Sequence, residues 1–432
     1  MRIPIETFVL TNGLRVILSE DHTAPIVGVN LVYHVGSANE RAGRTGFAHL
    51  FEHMLFQGSA DVAANEHFEL IQRAGGTLNG STWLDRTTYW NVVPSNHCEL
   101  VLWLEANRMG QLLAAMTQEK LDTQRAVVKN ERRWSVDNQP YGTSLERLQA
   151  ACFPPDHPFH HSLIGSMDDL SQASLEDIAQ FFRVYYTPAN AVLSIAGDFD
   201  QQQVRGWVES QFGGISAGAG SPARPDTTVA QRFGGWQREV VEDDVALARL
   251  FLAFRTPVFG DEAYYAASVC GAILGLRNGS RLHKHLVRRR EIAAAVSAYT
   301  FDLPEGSDIL LLDVTARPGT TGEALETAVV EEVDMLRREG VTAEEVARAQ
   351  ALIETELVRA LQSMGDRAEQ LSLFAAYLGD PALVNEQLSR YRAVTPDRVN
   401  AIIADRLGPD NRLTLLYVPR REAADEMQGS AA

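Results

Sequence analysis

The sequence has few cysteines and no long apolar run, and these absences exclude several classes of protein. Three cysteines among 432 residues are too few for a disulfide framework or a cysteine-based zinc cluster. No run of about 18 apolar residues occurs, so we expect no membrane-spanning helix. The amino-terminal residues lack the apolar core of a signal peptide, which predicts a cytoplasmic protein as written, or a periplasmic one if a signal was removed.

Positive charge is also scarce. Lys and Arg number 39 against 56 Asp and Glu, which gives a formal net charge of −17. Such a chain would repel a polyphosphate backbone, so we expect no nucleic-acid partner and favour neutral or basic ones. With 45% hydrophobic residues, the composition is that of a globular protein of roughly two to three domains.

Strand and helix patterns are mixed without a regular alternation, which predicts an α+β fold. Alternating residues on both sides of Asn12-Gly13 indicate a β-hairpin, and residues 26–35 form an apolar strand. Residues 77–93 are rich in Thr, Trp and Tyr, as strands are. Helical spacing is found in residues 46–56, 66–74, 98–113 and 118–134.

The two halves of the chain end in the same way, which indicates an internal repeat. An amphipathic helix, a Pro-x-Asn turn and a buried strand follow Ile178 and again Val399, 221 residues later. The alternative is a chance similarity of helix, turn and strand. We predict two homologous α+β domains, each an antiparallel sheet packed with helices, at residues 1–212 and 236–420, with a linker at 213–235 and a polar tail at 421–432.

The stretch from His49 to His53 carries the clearest chemical signal. On a helix, residues four apart share a face, so both imidazoles can bind one metal ion at about 2.0–2.1 Å. Glu52 leans over the same face and can take a proton from a metal-bound water, whose pKa zinc lowers to about 7. This H-x-x-E-H order is that of inverzincins. The alternative is a pair of ordinary helical histidines, but the apolar neighbours predict a buried helix, where unpaired polar groups are costly.

A catalytic zinc ion needs a third protein ligand, and Glu131 is the best candidate. It lies in the helical segment 121–134. Taken alone, Glu131 would rather be interpreted as a solvated glutamate beside Arg132 and Arg133. The residue type and its helical setting therefore leave both interpretations open.

Two segments resemble the M16 (pitrilysin/insulinase) metallopeptidases. Residues 46–59, GFAHLFEHMLFQGS, are similar to the active-site helix of that family, and residues 125–133, RAVVKNERR, to its second block. Glu131 follows His53 by 78 residues, close to the family spacing, so the resemblance makes it the third ligand of one Zn²⁺ per chain. It also implies a LuxS/MPP-like metallohydrolase fold and the two-domain M16B branch that includes the mitochondrial processing peptidase.

The resemblance implies a zinc endopeptidase acting on extended peptides or unfolded segments, with Glu52 as the base. The substrate would add to the edge of the strand at residues 76–82, contacting Asn79, Gly80, Ser81 and Thr82. Without the family, Asn79 would be only a structural polar residue. The alternative function is a non-catalytic scaffold subunit of an assembly.

The sequence departs from the family in its second half and near the third ligand. Gln124 stands seven residues before Glu131, where many members have a Glu that supports the metal ligands. Val287 and Ala294 stand where many members have an Arg and a Tyr that bind substrate carbonyl oxygens. We therefore expect a heterodimer, in which a second M16-like subunit supplies the Arg and Tyr, rather than a homodimer. The residues 221 positions after His49, Glu52 and His53 are Cys270, Ile273 and Leu274, so no metal site is expected there.

Overall fold

The computed structural model describes residues 2–420, which form two compact units. The first unit contains residues 2–133, 161–226 and 357–386, and the second contains residues 134–160, 227–356 and 387–420. The tail predicted at residues 421–432 lies outside the described residues. Within the described chain, no helix is long and apolar enough to cross a membrane.

The first unit has a six-stranded sheet with the order β1-β2-β6-β3-β5-β4. Its central strand β3 is buried along almost its whole length, and helices cover the sheet. The strands are β1 (Glu6–Val9), β2 (Arg15–Glu20), β3 (Ile26–Tyr33), β4 (Thr77–Thr82), β5 (Thr87–Pro94) and β6 (Ala191–Gly197). The helices are α1 (Phe47–Met54), α2 (Glu66–Arg73), α3 (Cys98–Gln111), α4 (Gln118–Arg132), α6 (Met167–Gln172), α7 (Leu175–Tyr185), α8 (Gln201–Phe212) and α12 (Met364–Leu378).

The second unit has a five-stranded sheet with the order β7-β11-β8-β10-β9. The strands are β7 (Gly235–Asp243), β8 (Arg249–Thr256), β9 (Ala293–Thr300), β10 (Asp308–Ala316) and β11 (Asn411–Pro419). The helices are α5 (Ser144–Cys152), α9 (Glu262–Gly275), α10 (Gly322–Glu339), α13 (Gln387–Arg392) and α14 (Pro396–Arg406), while α11 (Ala343–Gln362) begins here and ends in the first unit.

The sheets confirm the predicted α+β class but correct two details. The hairpin around Asn12-Gly13 forms as predicted, with β1 antiparallel to β2. Both sheets are mixed rather than wholly antiparallel, because β2 pairs with β6 and β7 with β11 in parallel. Residues 77–93 are two strands, β4 and β5, because the chain reverses at a turn closed by the Trp83 N–H on the Arg86 carbonyl.

The two units repeat the same arrangement of elements. The strand order β2-β6-β3-β5-β4 of the first corresponds to β7-β11-β8-β10-β9 of the second. Helix α7 begins at Leu175 and α14 at Pro396, which is the 221-residue offset found in the sequence. The repeat is therefore a property of the fold as well as of the sequence.

Each half of the chain contributes one helix to the sheet of the other half. Helix α5 lies in the first half of the sequence but packs against β11, whereas α12 lies in the second half but packs against β3, β5 and β6. The 221-residue offset carries α5 onto α12. The compact units therefore differ in content from the contiguous segments 1–212 and 236–420, which remain a prediction about the bounds of the repeats.

Candidate metal centre

Helix α1 presents a polar face and anchors itself through an apolar one. Its apolar side chains, such as Leu50 and Phe51, are buried. The Phe51 ring packs against Tyr186 with a centroid distance of 4.3 Å. His49 and His53 lie four residues apart, and their ring centroids are 4.8 Å apart. The helix is therefore fixed by its apolar side, which leaves both imidazoles on one partly open face.

The start of α1 is capped by a carboxylate from the preceding loop. Gly46 occupies the N-cap position in the left-handed region, with φ of 83°, and has no side chain to cap the helix. Glu40 accepts hydrogen bonds from the N–H groups of Gly46 at 2.8 Å and Ala48 at 2.7 Å. His161 Nε2 lies 2.9 Å from the same carboxylate, which is completely buried. Glu40 thus satisfies two N–H groups that a helix start leaves open.

Helix α4 brings the third candidate ligand to this face. Leu121, Gln124 and Val128 are its buried residues, and Glu131 follows at the same helical spacing. This stripe packs towards α1. One residue beyond, Arg132 donates a hydrogen bond to the Gly165 carbonyl at 2.9 Å, which ties the end of α4 to the adjacent loop.

Three side chains converge between α1 and α4. His49 Nε2 lies 3.6 Å from Glu131 Oε1, and His53 Nε2 lies 3.2 Å from Glu131 Oε2. All three can offer one ligand atom within 4.8 Å of the others, and they are the one such group of His, Cys, Asp and Glu among residues 2–420. Ligands about 2.0–2.1 Å from a tetrahedral metal would be about 3.3–3.4 Å apart, which these distances bracket.

The electrostatics of the cluster suit a cation. Burial and the neighbouring His53 lower the pKa of His49 to about 4, so this imidazole is neutral at pH 7. Burial alone would lower the pKa of His53, but the hydrogen bond and charge of Glu131 outweigh it and raise that pKa. The hydrogen bond with His53 is also the main cause that lowers the pKa of Glu131. The cluster therefore combines two imidazoles with an ionised carboxylate.

A zinc ion fits these donors. Two imidazole nitrogens and one carboxylate oxygen are a ligand set that zinc uses when it keeps an open position. The nitrogen of His49 that faces the cluster is Nε2, and at 3.6 Å it is too far from Glu131 Oε1 for a good hydrogen bond, which leaves its lone pair for a metal ion. A buried imidazole in that state is costly unless a ligand satisfies it.

Glu52 lies on the same helix and is held by strand β4. Thr82 Oγ1 donates a hydrogen bond of 2.6 Å to Glu52 Oε2. Burial is the main cause that raises the pKa of Glu52, and the hydrogen bond from Thr82 opposes this effect. Strand β4 pairs only with β5 among the described strands, so its other edge is unpaired, as the sequence predicts. The acid on α1 therefore lies beside an open strand edge.

The other predicted site residues lie on β4 and α4. Gly80 packs on Glu52, since a Cβ atom there would lie 3.0 Å from Glu52 Cγ. Asn79 and Ser81 are exposed on β4, and the Asn79 carboxamide accepts a hydrogen bond from the Gly80 N–H at 2.9 Å. On α4, Gln124 is buried, and its side chain lies close enough to His53 to help raise the pKa of that imidazole. Gly80, Thr82 and Gln124 therefore lie against the polar face of α1, whereas Asn79 and Ser81 are on the opposite, exposed face of β4.

Family models match both halves of the chain. Residues 15–163 match the model described as Insulinase (Peptidase family M16), and residues 172–353 match the Peptidase M16 inactive domain. The chain belongs to the M16 peptidase family. The first match contains the cluster of His49, His53 and Glu131, whereas the second contains Cys270 and Leu274. The family and fold predicted from sequence are thereby confirmed.

Similar proteins include named zinc proteases. The zinc protease PqqE of Helicobacter pylori is 29% identical over 375 residues, which are 86% of this chain and 83% of that protein. The crystal structure of a protease from Helicobacter pylori has a TM-score of 0.90 at 26% identity and covers 97% of this chain and 100% of that chain. The periplasmic protease PqqL from Escherichia coli has a TM-score of 0.78 at 19% identity, and the similarity covers 99% of this chain but 49% of PqqL. This M16 chain therefore lies among zinc proteases, and its fold also occurs as about half of a longer chain.

Two contributors to the site have no signal in a single sequence. Glu40 and His161 hold the start of α1, but neither belongs to a spaced motif or to the helix that it stabilises. Thr82 is recognisable as part of the edge strand, yet its bond to Glu52 depends on how β4 packs on α1. Only the three-dimensional arrangement brings these side chains to the centre.

Proposed function

We propose that this chain is a zinc endopeptidase that cleaves extended or unfolded peptides, and that it is the zinc-bearing subunit of a heterodimer. The convergence of His49, His53 and Glu131, with Glu52 and an open strand edge beside them, is the observation that carries this proposal. Similar proteins are named zinc proteases, which supports peptide hydrolysis as the reaction.

The metal ligands would be two imidazoles and one carboxylate. His49 and His53 would bind one zinc ion from α1, and Glu131 would bind it from α4. When bound, zinc supplies a Lewis acid that acidifies water and polarises a peptide carbonyl. Gln124 would hydrogen-bond and orient the His53 imidazole, without the added basicity that a carboxylate would give.

Glu52 would carry the proton of the reaction. Its carboxylate accepts a proton from the attacking water, so one water O–H bond breaks as the oxygen bonds to the peptide carbon. Glu52 then gives this proton to the leaving amine as the C–N bond breaks. Because burial raises the pKa of Glu52, the carboxylate is a stronger base than an exposed glutamate.

The substrate would bind as an added strand on β4. Main-chain pairing along an unpaired edge accepts many side chains, which suits flexible or unfolded substrates. Asn79 would lie near the scissile bond, and Gly80, Ser81 and Thr82 would provide the neighbouring edge. Given a net charge of −17, we expect basic peptides to bind better than acidic ones.

A partner subunit would complete the oxyanion binding. Val287 and Ala294, at the positions of the family's Arg and Tyr, have no side-chain hydrogen-bond donor. One missing donor of this kind can cost about 10²–10³ in kcat. The fold of this chain spans only about half of Escherichia coli PqqL, so a two-chain assembly would reach the size that PqqL has in one chain. The expected partner is a homologue with Arg and Tyr and without the H-x-x-E-H motif.

Peptide cleavage by the zinc-loaded chain, alone and mixed with such a homologue, tests the proposal. Glu52→Gln should abolish cleavage of a basic peptide but keep one zinc ion per chain. Glu69→Gln is the matched control, because Glu69 is an exposed residue of α2 that pairs with Arg73. We expect the mixture to cleave much faster than either protein.

The outcomes separate the alternatives. Stoichiometric zinc without cleavage in any mixture would favour a scaffold subunit, and unfolding on zinc removal would favour a structural metal. Full activity of the pure chain would refute the heterodimer but leave the peptidase. An acidic peptide cleaved as well as its basic counterpart would refute the charge preference alone.

A further inference from the structure

Strand β4 holds the Glu52 carboxylate through the side chain of Thr82. The Thr82 hydroxyl donates a hydrogen bond of 2.6 Å to Oε2. Hydrogen bonds to an ionised group are stronger than those between neutral groups. The orientation of Glu52 is therefore set by one residue of a neighbouring strand as well as by its own helix.

Gly80 also contacts the Glu52 side chain from β4. A Cβ atom at position 80 would lie 3.0 Å from Glu52 Cγ and 3.1 Å from Oε1. Residues 80 and 82 are two apart on a strand, so they share the face that β4 turns towards α1. Oε2 is thus engaged by Thr82, while Oε1 lies over the bare backbone of Gly80.

Strand β4, which holds Glu52, is also the strand with the unpaired edge. Strand β4 is the last strand of its sheet, and no other described strand pairs with its outer side. A peptide that pairs with this edge would bind the same strand that holds Glu52. Sequence reasoning assigned Thr82 to substrate contact, whereas its side chain contacts the acid.

We propose that Thr82 is a positioning residue for Glu52, an inference that rests on the proposed function of Glu52 as the base. By holding Oε2, Thr82 leaves Oε1 to accept the proton of the attacking water. The proton moves from water to Oε1 and later to the leaving amine, so no further reactant is needed. A residue that only contacts substrate would affect KM, whereas one that orients the base affects kcat.

The test compares Thr82→Val, Thr82→Ala and Thr82→Ser in the zinc-loaded enzyme with any required partner. Val and Ala remove the hydroxyl, Val with little change of shape, whereas Ser keeps it. We expect kcat to fall roughly 10- to 100-fold in Thr82→Val and Thr82→Ala, because a hydrogen bond to a charged group is lost, with KM changed less than about threefold. Thr82→Ser should recover most of kcat. Thr7→Val is the matched control, since Thr7 is exposed on β1, the opposite edge strand of the same sheet.

Zinc content and folding provide readouts independent of activity. All the Thr82 variants should keep one zinc ion per chain and the circular dichroism of the wild type, because the three metal ligands are untouched. An unchanged kcat, a change confined to KM, or a Ser variant as slow as the Ala variant would overturn the positioning role. If Thr82→Val does not fold, the comparison of Ala with Ser decides. An active Glu52→Gln variant would instead refute the proposed function, so the two failures are distinguishable.

Discussion

Helices α1 and α9 hold equivalent places in the two units but have opposite characters. They end at Met54 and Gly275, which are 221 residues apart, yet α1 has 8 residues and α9 has 14. Helix α9 is buried on nearly all sides, whereas α1 has a polar face with both imidazoles. The same position in the fold therefore serves as core in one unit and as a candidate metal site in the other.

The difference in length shows how the first unit makes room for polar groups. Helix α9 is longer than α1 at its amino-terminal end. In the first unit, a loop that contains Glu40 and Gly46 takes the place of these additional helical residues. That loop borders a cavity of about 490 Å³, lined by residues that include Glu40, Phe47 and Tyr185. A shorter helix needs its N–H groups satisfied from outside, and Glu40 does this.

Paired substitutions at His49 and Cys270 give the largest expected contrast. His49→Ala should lower zinc affinity by at least roughly 100-fold, because binding energies of about 10–16 kcal/mol are shared among few ligands. Cys270→Ala should leave zinc affinity unchanged, since Cys270 is a buried core residue of α9. Chelator competition measures both values.

Circular dichroism of the metal-free proteins is the control for folding. If both variants lost zinc equally, zinc binding would depend on the general stability of the fold and not on a particular ligand on α1. Zinc retained by His49→Ala, with the fold intact, would remove His49 from the ligand set.

The contact between helix and edge strand is also built differently in the two units. In the first unit the strand residue Gly80 makes room for Glu52. In the second unit the helix residue Gly275 makes room for β9, since a Cβ atom there would lie 2.3 Å from the Ala298 backbone nitrogen.

Gly80→Ala should therefore lower kcat roughly 10- to 100-fold by displacing the acid, with little effect on stability. Gly275→Ala should instead destabilise the fold by about 1–3 kcal/mol, because backbone must move.

Kinetics and urea unfolding of the two alanine variants separate these effects. The neighbour of Gly80 is a side chain that can shift by a few tenths of an ångström, whereas that of Gly275 is a strand backbone. A Gly80→Ala enzyme with wild-type kcat would show that Glu52 tolerates displacement. If Gly80→Ala lowered the free energy of unfolding and Gly275→Ala did not, the proposed difference between the two contacts would be wrong.

Local patterns in the sequence predicted much of the site. The spacing of His49 and His53 places them on one helix face, and the stripe of Leu121, Gln124 and Val128 directs Glu131 towards α1. These signals depend on helical periodicity, which is local. The family resemblance then linked the two helices, which periodicity alone could not do.

Long-range packing accounts for what the sequence did not reveal. Helix α5 packs on the sheet of the second unit and α12 on the sheet of the first. These contacts join residues far apart in the chain, so the periodicity of a helix does not predict them. The reversal between β4 and β5 gives a weak signal, because Asp85 is the one residue of a type that usually marks a turn among residues 83–86, Trp-Leu-Asp-Arg. Glu40 also has no periodic signal, since it acts on a helix that begins seven residues later.

The smallest expected contrast concerns how the two helices start. Glu40→Gln replaces one acceptor oxygen with an amide that cannot accept, so the N–H of Gly46 or Ala48 loses its partner. We expect zinc affinity to fall about 10-fold, because α1 then holds His49 less firmly. Asp261 is the N-cap residue of α9 and makes no capping hydrogen bond through its side chain, so Asp261→Asn should change neither stability nor zinc affinity.

Hydrogen exchange at the first turn of α1 distinguishes a capping role for Glu40 from a general one. Faster exchange confined to the amides around Gly46 and Ala48, together with weaker zinc binding, is the result expected if the cap sets the position of the imidazoles. Unchanged exchange with unchanged affinity would show that packing of Phe51 against Tyr186 alone fixes the helix. Faster exchange throughout the first unit would instead make Glu40 a general stabiliser of the fold, because the loss would then not be confined to the end of α1 that is nearest the candidate ligands.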